Sequence, residues 1–168
     1  MLTAVPKNWF SWDFWLREPT GDAVGEVRLS SWRERGSIVL GGVTYPIRRK
    51  GILGPFIMKA PDGSVVGSAV KRSALRREFV LDGEDPKYVL KAMTAFRRKY
   101  GVFRGDFGIG SIVPASWVRR RATVEFTEDM PLLRQAFLVW LTLLLWKRDY
   151  SFKRRPVRRA ALASDEHN

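Results

Sequence analysis

The chain repeats itself, and that limits it to a fold assembled from like units. Residues 14–35, FWLREPTGDAVGEVRLSSWRER, align without a gap on residues 56–77, FIMKAPDGSVVGSAVKRSALRR, at an offset of 42. Seven positions are identical: Phe14/Phe56, Pro19/Pro61, Gly21/Gly63, Val24/Val66, Gly25/Gly67, Ser31/Ser73 and Arg35/Arg77. Leu16/Met58 and Val27/Ala69 are apolar in both copies. A shorter third copy lies at an offset of 43, where Ile109-Gly110-Ser111-Ile112 matches Val66-Gly67-Ser68-Ala69, and Ser116, Arg119 and Arg120 match Ser73, Arg76 and Arg77. Downstream, Tyr45-Pro46-Ile47 is echoed by Tyr88-Val89-Leu90.

Each unit reads as strand and turn. Phe10, Trp12, Phe14 and Leu16 alternate with Ser11, Asp13 and Trp15, a period of two. Pro19-Thr20-Gly21 and Pro61-Asp62-Gly63 are turn chemistry, with Pro presetting φ and Gly supplying positive φ. Gly41-Gly42 and Asp82-Gly83 mark further hairpins. Turn signals every 8–12 residues predict about four strands per unit and about twelve in all. Twelve strands need closure or a second layer to cover their faces and edges. Side chains alone fill a barrel of about eight strands, so a twelve-stranded barrel needs something else in its lumen.

The end of the chain supplies a candidate. Residues 130–148 read MPLLRQAFLVWLTLLLWKR, apolar on every side from Ala136 to Trp146 except at Thr142. Asp129 and Pro131 suit a helix start, and Lys147 and Arg148 suit the negative end of its dipole. A helix apolar all round belongs in a core or in lipid. The uninterrupted apolar run from Ala136 to Trp146 has eleven residues, short of the roughly 17–25 a span requires, and extending it meets Arg134. A plug for the barrel is therefore favoured over a tail anchor. Gly25, Gly67 and Gly110 sit at equivalent strand positions, either to make room for this helix or to mark a bend or bulge in each unit. The expected architecture is mainly β: a closed antiparallel barrel of about twelve strands, built from quasi-repeats around a buried C-terminal helix. Residues 1–148 form it, and residues 149–168 form a basic, flexible tail.

Charge points to a partner. The chain has 30 Lys plus Arg against 17 Asp plus Glu, for a net +13. Residues 1–40 are neutral, so the excess lies downstream, in clusters that favour a polyanionic partner. Arg forks suit phosphate oxygens, which makes Arg48, Arg49, Lys50, Arg97, Arg98, Lys99, Arg119, Arg120 and Arg121 the candidate anion-binding or lipid-binding residues. Whether they gather at one end of the barrel or form a belt around it is open. Basic clusters beside Phe96, Tyr100, Phe103 and Trp117 suggest a nucleic-acid stacking platform as the rival. Trp9, Trp12, Trp15 and Trp32 fall in the neutral stretch and read as core or barrel wall.

Catalysis has little to work with. The sequence has no Cys, and its one His, His167, sits in the polar tail, so thiol nucleophiles, Cys-based zinc sites and a Ser-His-Asp triad are all excluded or poorly placed. No glycine-rich phosphate loop occurs. No enzyme activity, cofactor or metal is expected. Residues 1–10 lack the charged start and apolar core of a secretory signal, which with the absence of Cys makes the cytoplasm the expected compartment, peripheral at the inner membrane face.

Repeated antiparallel strands, the glycine-rich hairpins and the helix PLLRQAFLVWLTLLLW at 131–146 together resemble the tubby C-terminal-like fold, over about residues 9–148. Its members include tubby proteins, LURP-one-related proteins and phospholipid scramblases, and the resemblance is closest to the LURP-one-related branch. It implies a non-catalytic domain that recognises anionic membrane lipid or phosphoinositide-like headgroups. A nucleic-acid-associated or protein-interaction scaffold is the alternative. The scramblase-type Cys-rich segment is absent and no tubby phosphoinositide site can be matched, so no functional residue is carried over.

Overall fold

The computed structural model describes residues 1–153 except 31–32, 73–76, 83–86, 94–97 and 116–119, with side chains described to residue 150. The strands fall into three sets of four. The first is β1 (Leu2–Pro6), β2 (Asp13–Arg17), β3 (Ala23–Leu29) and β4 (Arg35–Leu40). The second is β5 (Val43–Arg49), β6 (Phe56–Lys59), β7 (Val65–Lys71) and β8 (Glu78–Asp82). The third is β9 (Tyr88–Ala92), β10 (Tyr100–Arg104), β11 (Phe107–Pro114) and β12 (Ala122–Phe126), after which comes the helix α1 (Leu132–Lys153). Each strand pairs antiparallel with its neighbour in sequence, and β1 pairs with β12 (Leu2 opposite Val124), which closes the barrel.

The repeat is the repeat of these units. In the β2–β3 connection the Glu18 N–H donates to Asp22 O and the Gly21 N–H to Glu18 O. In the β6–β7 connection Ala60, Ser64 and Gly63 make the same two bonds, and Gly21 and Gly63 share positive φ, 96° and 86°. Phe14/Phe56, Leu16/Met58 and Val27/Ala69 are the inward-facing residues, all fully buried. Gly41 and Gly42 (φ 55° and 79°) form the expected two-residue hairpin, whereas Gly83 of the Asp82-Gly83 turn lies outside the described residues. The alternation over residues 10–16 begins only at Asp13, and Phe10 belongs to the β1–β2 connection.

The helix fills the lumen. Every residue from Ala136 to Trp146 is buried, and the one polar side chain among them, Thr142, donates its hydroxyl to Leu138 O at 2.9 Å. Trp140 packs edge-on against Phe56, with centroids 5.4 Å apart. Its indole N–H reaches across to the strand carbonyl of Arg28 at 3.0 Å, and that of Trp146 reaches Arg98 O at 2.9 Å. These bonds satisfy both indoles inside an apolar core and set the helix's rotation and depth. The tail-anchor alternative is thereby corrected: the apolar faces are enclosed by strands, and no helix among the described residues is long and apolar enough to cross a membrane. Asp129 does not begin the helix; the Pro131 carbonyl accepts the first-turn N–H groups of Arg134 and Gln135. The helix also runs past residue 149, the expected start of the tail, and residues 154–168 lie outside the described residues.

Gly25, Gly67 and Gly110 mark bulges. Opposite them the register slips by one residue in all three units, leaving Val24, Val66 and Ile109 as the extra residues. A Cβ on Gly25 or Gly110 would strike the neighbouring strand, at Leu40 Cδ2 (2.3 Å) and Glu125 O (2.4 Å). Only Gly67 faces the helix, with Phe137 at an ordinary 3.7 Å. The glycine that admits the helix is Gly36, where a Cβ would lie 2.0 Å from Arg28 O and 2.4 Å from Trp140 Nε1.

Candidate functional site

An antiparallel barrel sends alternate connections to opposite ends, and here the two ends differ in charge. One end carries the connections 7–12, 30–34, 50–55, 72–77, 93–99 and 115–121, whose described residues include nine cations and one acid, Glu34. The other carries 18–22, 41–42, 60–64, 83–87, 105–106 and the lead into the helix, 127–131, whose described residues include six acids and one cation, Lys87. The helix starts at the acidic end and finishes at the basic one, so its dipole complements both. At 22 residues it is about 33 Å long, more than strands of four to eight residues span, so its last turns rise through the basic rim.

The described members of all three predicted clusters lie on this rim, but they differ in availability. Arg48, Lys50, Lys99 and Arg121 are exposed and make no ion pair or side-chain hydrogen bond with other described residues. Arg49, Arg98 and Arg120 are half-buried and serve the barrel itself. Arg49 binds Glu34 and Gly54 O, Arg98 lies over the Tyr150 ring, and Arg120 donates to the carbonyls of Asn8, Trp9 and Ser11 while stacking on Trp12. Arg97 and Arg119 lie outside the described residues.

Sequence reasoning missed Arg33 and Arg35. Both belong to the neutral first quarter, yet they are exposed beside Arg48. Arg35 and Arg48 stand directly opposite on β4 and β5, a like-charge pair that destabilises unless an anion bridges it. Around them is a cavity of about 490 Å³ lined by Arg33, Glu34, Arg35, Arg48, Arg49, Gly51 and Ile52. Glu34 is turned toward Arg49 and Arg148, so the other three guanidinium groups have no carboxylate partner among the described residues. Such a set of forks can bind a phosphate through several oxygens. The signal was present in the sequence: sorting loop charges by alternate connections separates the two ends, whereas sorting by quarters of the chain hides them.

The helix end is tied into the rim. Lys147 donates to Ser30 O, with burial lowering its pKa, and Arg77 pairs with Asp149 at 2.6 Å. On the outer wall below, the buried carboxylate of Glu26 receives Arg28 and Lys7, and Lys7 lies over the Trp15 ring. The Arg28 hydrogen bond, aided by Lys7 and opposed by burial, lowers the Glu26 pKa below its ordinary 4.5. That stability is present above the unfolded carboxylate pKa and is lost as pH falls through the lower folded value. Between pH 6 and pH 3 the wild-type protein should therefore lose more stability than Glu26→Gln, by urea melts at each pH; parallel losses would refute it.

Two described members of the nucleic-acid platform stand away from the basic rim's surface. Tyr100 is buried, and Arg104 stands at the acidic end paired with Glu128. Phe96 and Trp117 lie outside the described residues. Among the described residues no group of three or more acidic or His side chains is placed to hold a metal ion. No family model matches the sequence, and no curated protein or solved structure matches it either.

Proposed function

We propose that the protein is a non-catalytic binding domain whose basic rim recognises the anionic headgroups of membrane lipids. The separation of charge between the two barrel ends carries this reading. A belt of cations needed only for solubility would not leave one end acidic. The open cavity lined by Arg33, Arg35 and Arg48 has room for a headgroup with its phosphate, and the exposed Lys50, Lys99 and Arg121 supply the surrounding field. The likeness to the tubby C-terminal-like fold, in particular its LURP-one-related branch, supports the same reading by analogy of architecture: twelve strands closed around a C-terminal helix. Peripheral association with the inner face of a membrane follows from it. A nucleic-acid-associated scaffold is the alternative, and the same experiment separates them.

Sedimentation with vesicles of phosphatidylcholine, with and without phosphatidylserine, is that experiment. Binding should require phosphatidylserine. A cation near an anionic bilayer contributes about 1 kcal/mol, so replacing Arg48, Lys50, Lys99 and Arg121 by Gln should lower partitioning at low salt by about two to three orders of magnitude. Replacing Arg17, Lys59 and Lys87, at the acidic end, by Gln should leave it unchanged. Equal partitioning onto both vesicles, or retention of single-stranded RNA in place of vesicles, would defeat the proposal.

A further inference from the structure

The basic rim also carries apolar side chains that its cations do not explain. In the β1–β2 connection Trp9 is 69% exposed and Phe10 91%; in the β5–β6 connection Ile52 is 87% exposed and Leu53 85%. Each pair caps a loop that is already ordered. The Asn8 side-chain oxygen accepts the Phe10 and Ser11 N–H groups, and Arg120 clamps the same loop from the neighbouring connection. The second loop is closed by Lys50 N–H to Pro55 O at 2.8 Å and by Arg49 to Gly54 O, with Gly51 at positive φ and Gly54 too close to Lys50 O for any side chain. Two rigid loops thus hold large apolar tips in water, which suggests a place for those tips outside the protein.

The acidic end also exposes apolar side chains, but in a different setting. Its exposed Met1, Val43, Val65 and Phe107 lie at strand starts beside short polar turns such as 60–64 and 105–106, where Asp62 and Asp106 would be repelled by an anionic surface. At the basic end the apolar tips stand among Lys50, Arg48 and Arg121. Trp9 and Phe10 could stack on nucleic-acid bases, but Ile52 and Leu53 have no aromatic face and gain only from an apolar medium.

We infer that the barrel docks end-on, with Trp9-Phe10 and Ile52-Leu53 entering the bilayer interface while the neighbouring cations contact headgroups. This rests on the lipid-headgroup reading above and adds to it an apolar component, a defined orientation and a choice of bilayer over soluble polyanion. The helix axis then points at the membrane, C-terminal end first.

The full chain would be compared with a variant carrying Trp9→Ser, Phe10→Ser, Ile52→Ser and Leu53→Ser, on vesicles of phosphatidylcholine with phosphatidylserine. The tips should contribute about tenfold or more to partitioning, as expected for several large side chains part-buried in the interface. At about 1 M salt, where screening reaches about 3 Å, the wild type should keep residual binding and the variant none. The absence of native Cys permits a second readout: an environment-sensitive dye on Ile52→Cys should shift to the blue on vesicle addition, while the same dye on Thr20→Cys, at the acidic end, should not. Unchanged partitioning of the tip variant with an unshifted Ile52 dye would overturn tip insertion and leave headgroup binding standing. Failure of the wild type to bind these vesicles at low salt would remove both.

Discussion

A chain ending at residue 131 is expected not to fold. The helix fills the lumen with eleven consecutive buried residues, among them Phe137, Trp140 and Trp146. Fully burying one large apolar side chain stabilises by about 1.5–3 kcal/mol, whereas a whole domain is stable by only about 5–15 kcal/mol. Several such residues therefore outweigh the net stability. The strands left behind would surround an apolar cavity too wide for their own side chains to fill. The truncated protein should lack a cooperative thermal transition and bind a hydrophobic dye such as ANS. A monomeric truncated chain that melts cooperatively, with native far-UV circular dichroism, would show that the wall of strands stands without its plug.

Gly36→Ala should be the most damaging single methyl addition at a strand glycine of the barrel. The new Cβ meets a backbone carbonyl, Arg28 O, at 2.0 Å and the Trp140 indole nitrogen at 2.4 Å. Neither neighbour is the free end of a flexible side chain. The strand would have to shift or the helix rotate, breaking the Trp140 bond to Arg28 O that sets its position. Overpacking of this kind costs about 3 kcal/mol or more, and for a protein of this size that lowers Tm by about 6–12 °C. Gly67→Ala is the contrast, because its nearest neighbours are the mobile Met58 Cε at 3.1 Å and Phe137 at 3.7 Å. It should cost less than about 1 kcal/mol. Adding Trp140→Phe to Gly36→Ala removes one collision and leaves the carbonyl one, so it should not restore stability. Equal melting temperatures for Gly36→Ala and Gly67→Ala would contradict this account of how the helix is seated.

Both expectations concern the joint between helix and wall, where reading by residue type was least informative. Gly36 lies just outside the aligned repeat positions, and the three repeated glycines are the more visible candidates. Their repetition has a different cause: each follows a bulge that recurs in its unit and packs on the adjacent strand. Spacing alone does not say which neighbour a glycine makes room for. The aromatic residues divide in the same way. Phe14 and Phe56 were legible as core from alternation, but Phe10 continues that alternation and is 91% exposed, because the strand begins three residues later. Arg49 and Arg120 look like their cluster neighbours in sequence, and only the fold turns them inward to hold loops while Arg48 and Arg121 face solvent.

Local chemistry decided what could be read directly. Alternating apolar residues, Pro and Gly at turns, and an offset of 42 between copies are properties of short segments, and they determined the strands, their number and the all-apolar helix that the lumen required. Which charges share an end of the barrel depends on closure. Residues such as Arg35 and Arg121 are far apart in the chain and meet on one rim only because antiparallel strands return every second connection to the same side. The segregation of charge, the cavity around Arg35 and Arg48, and the apolar tips that share that end are consequences of the closed barrel.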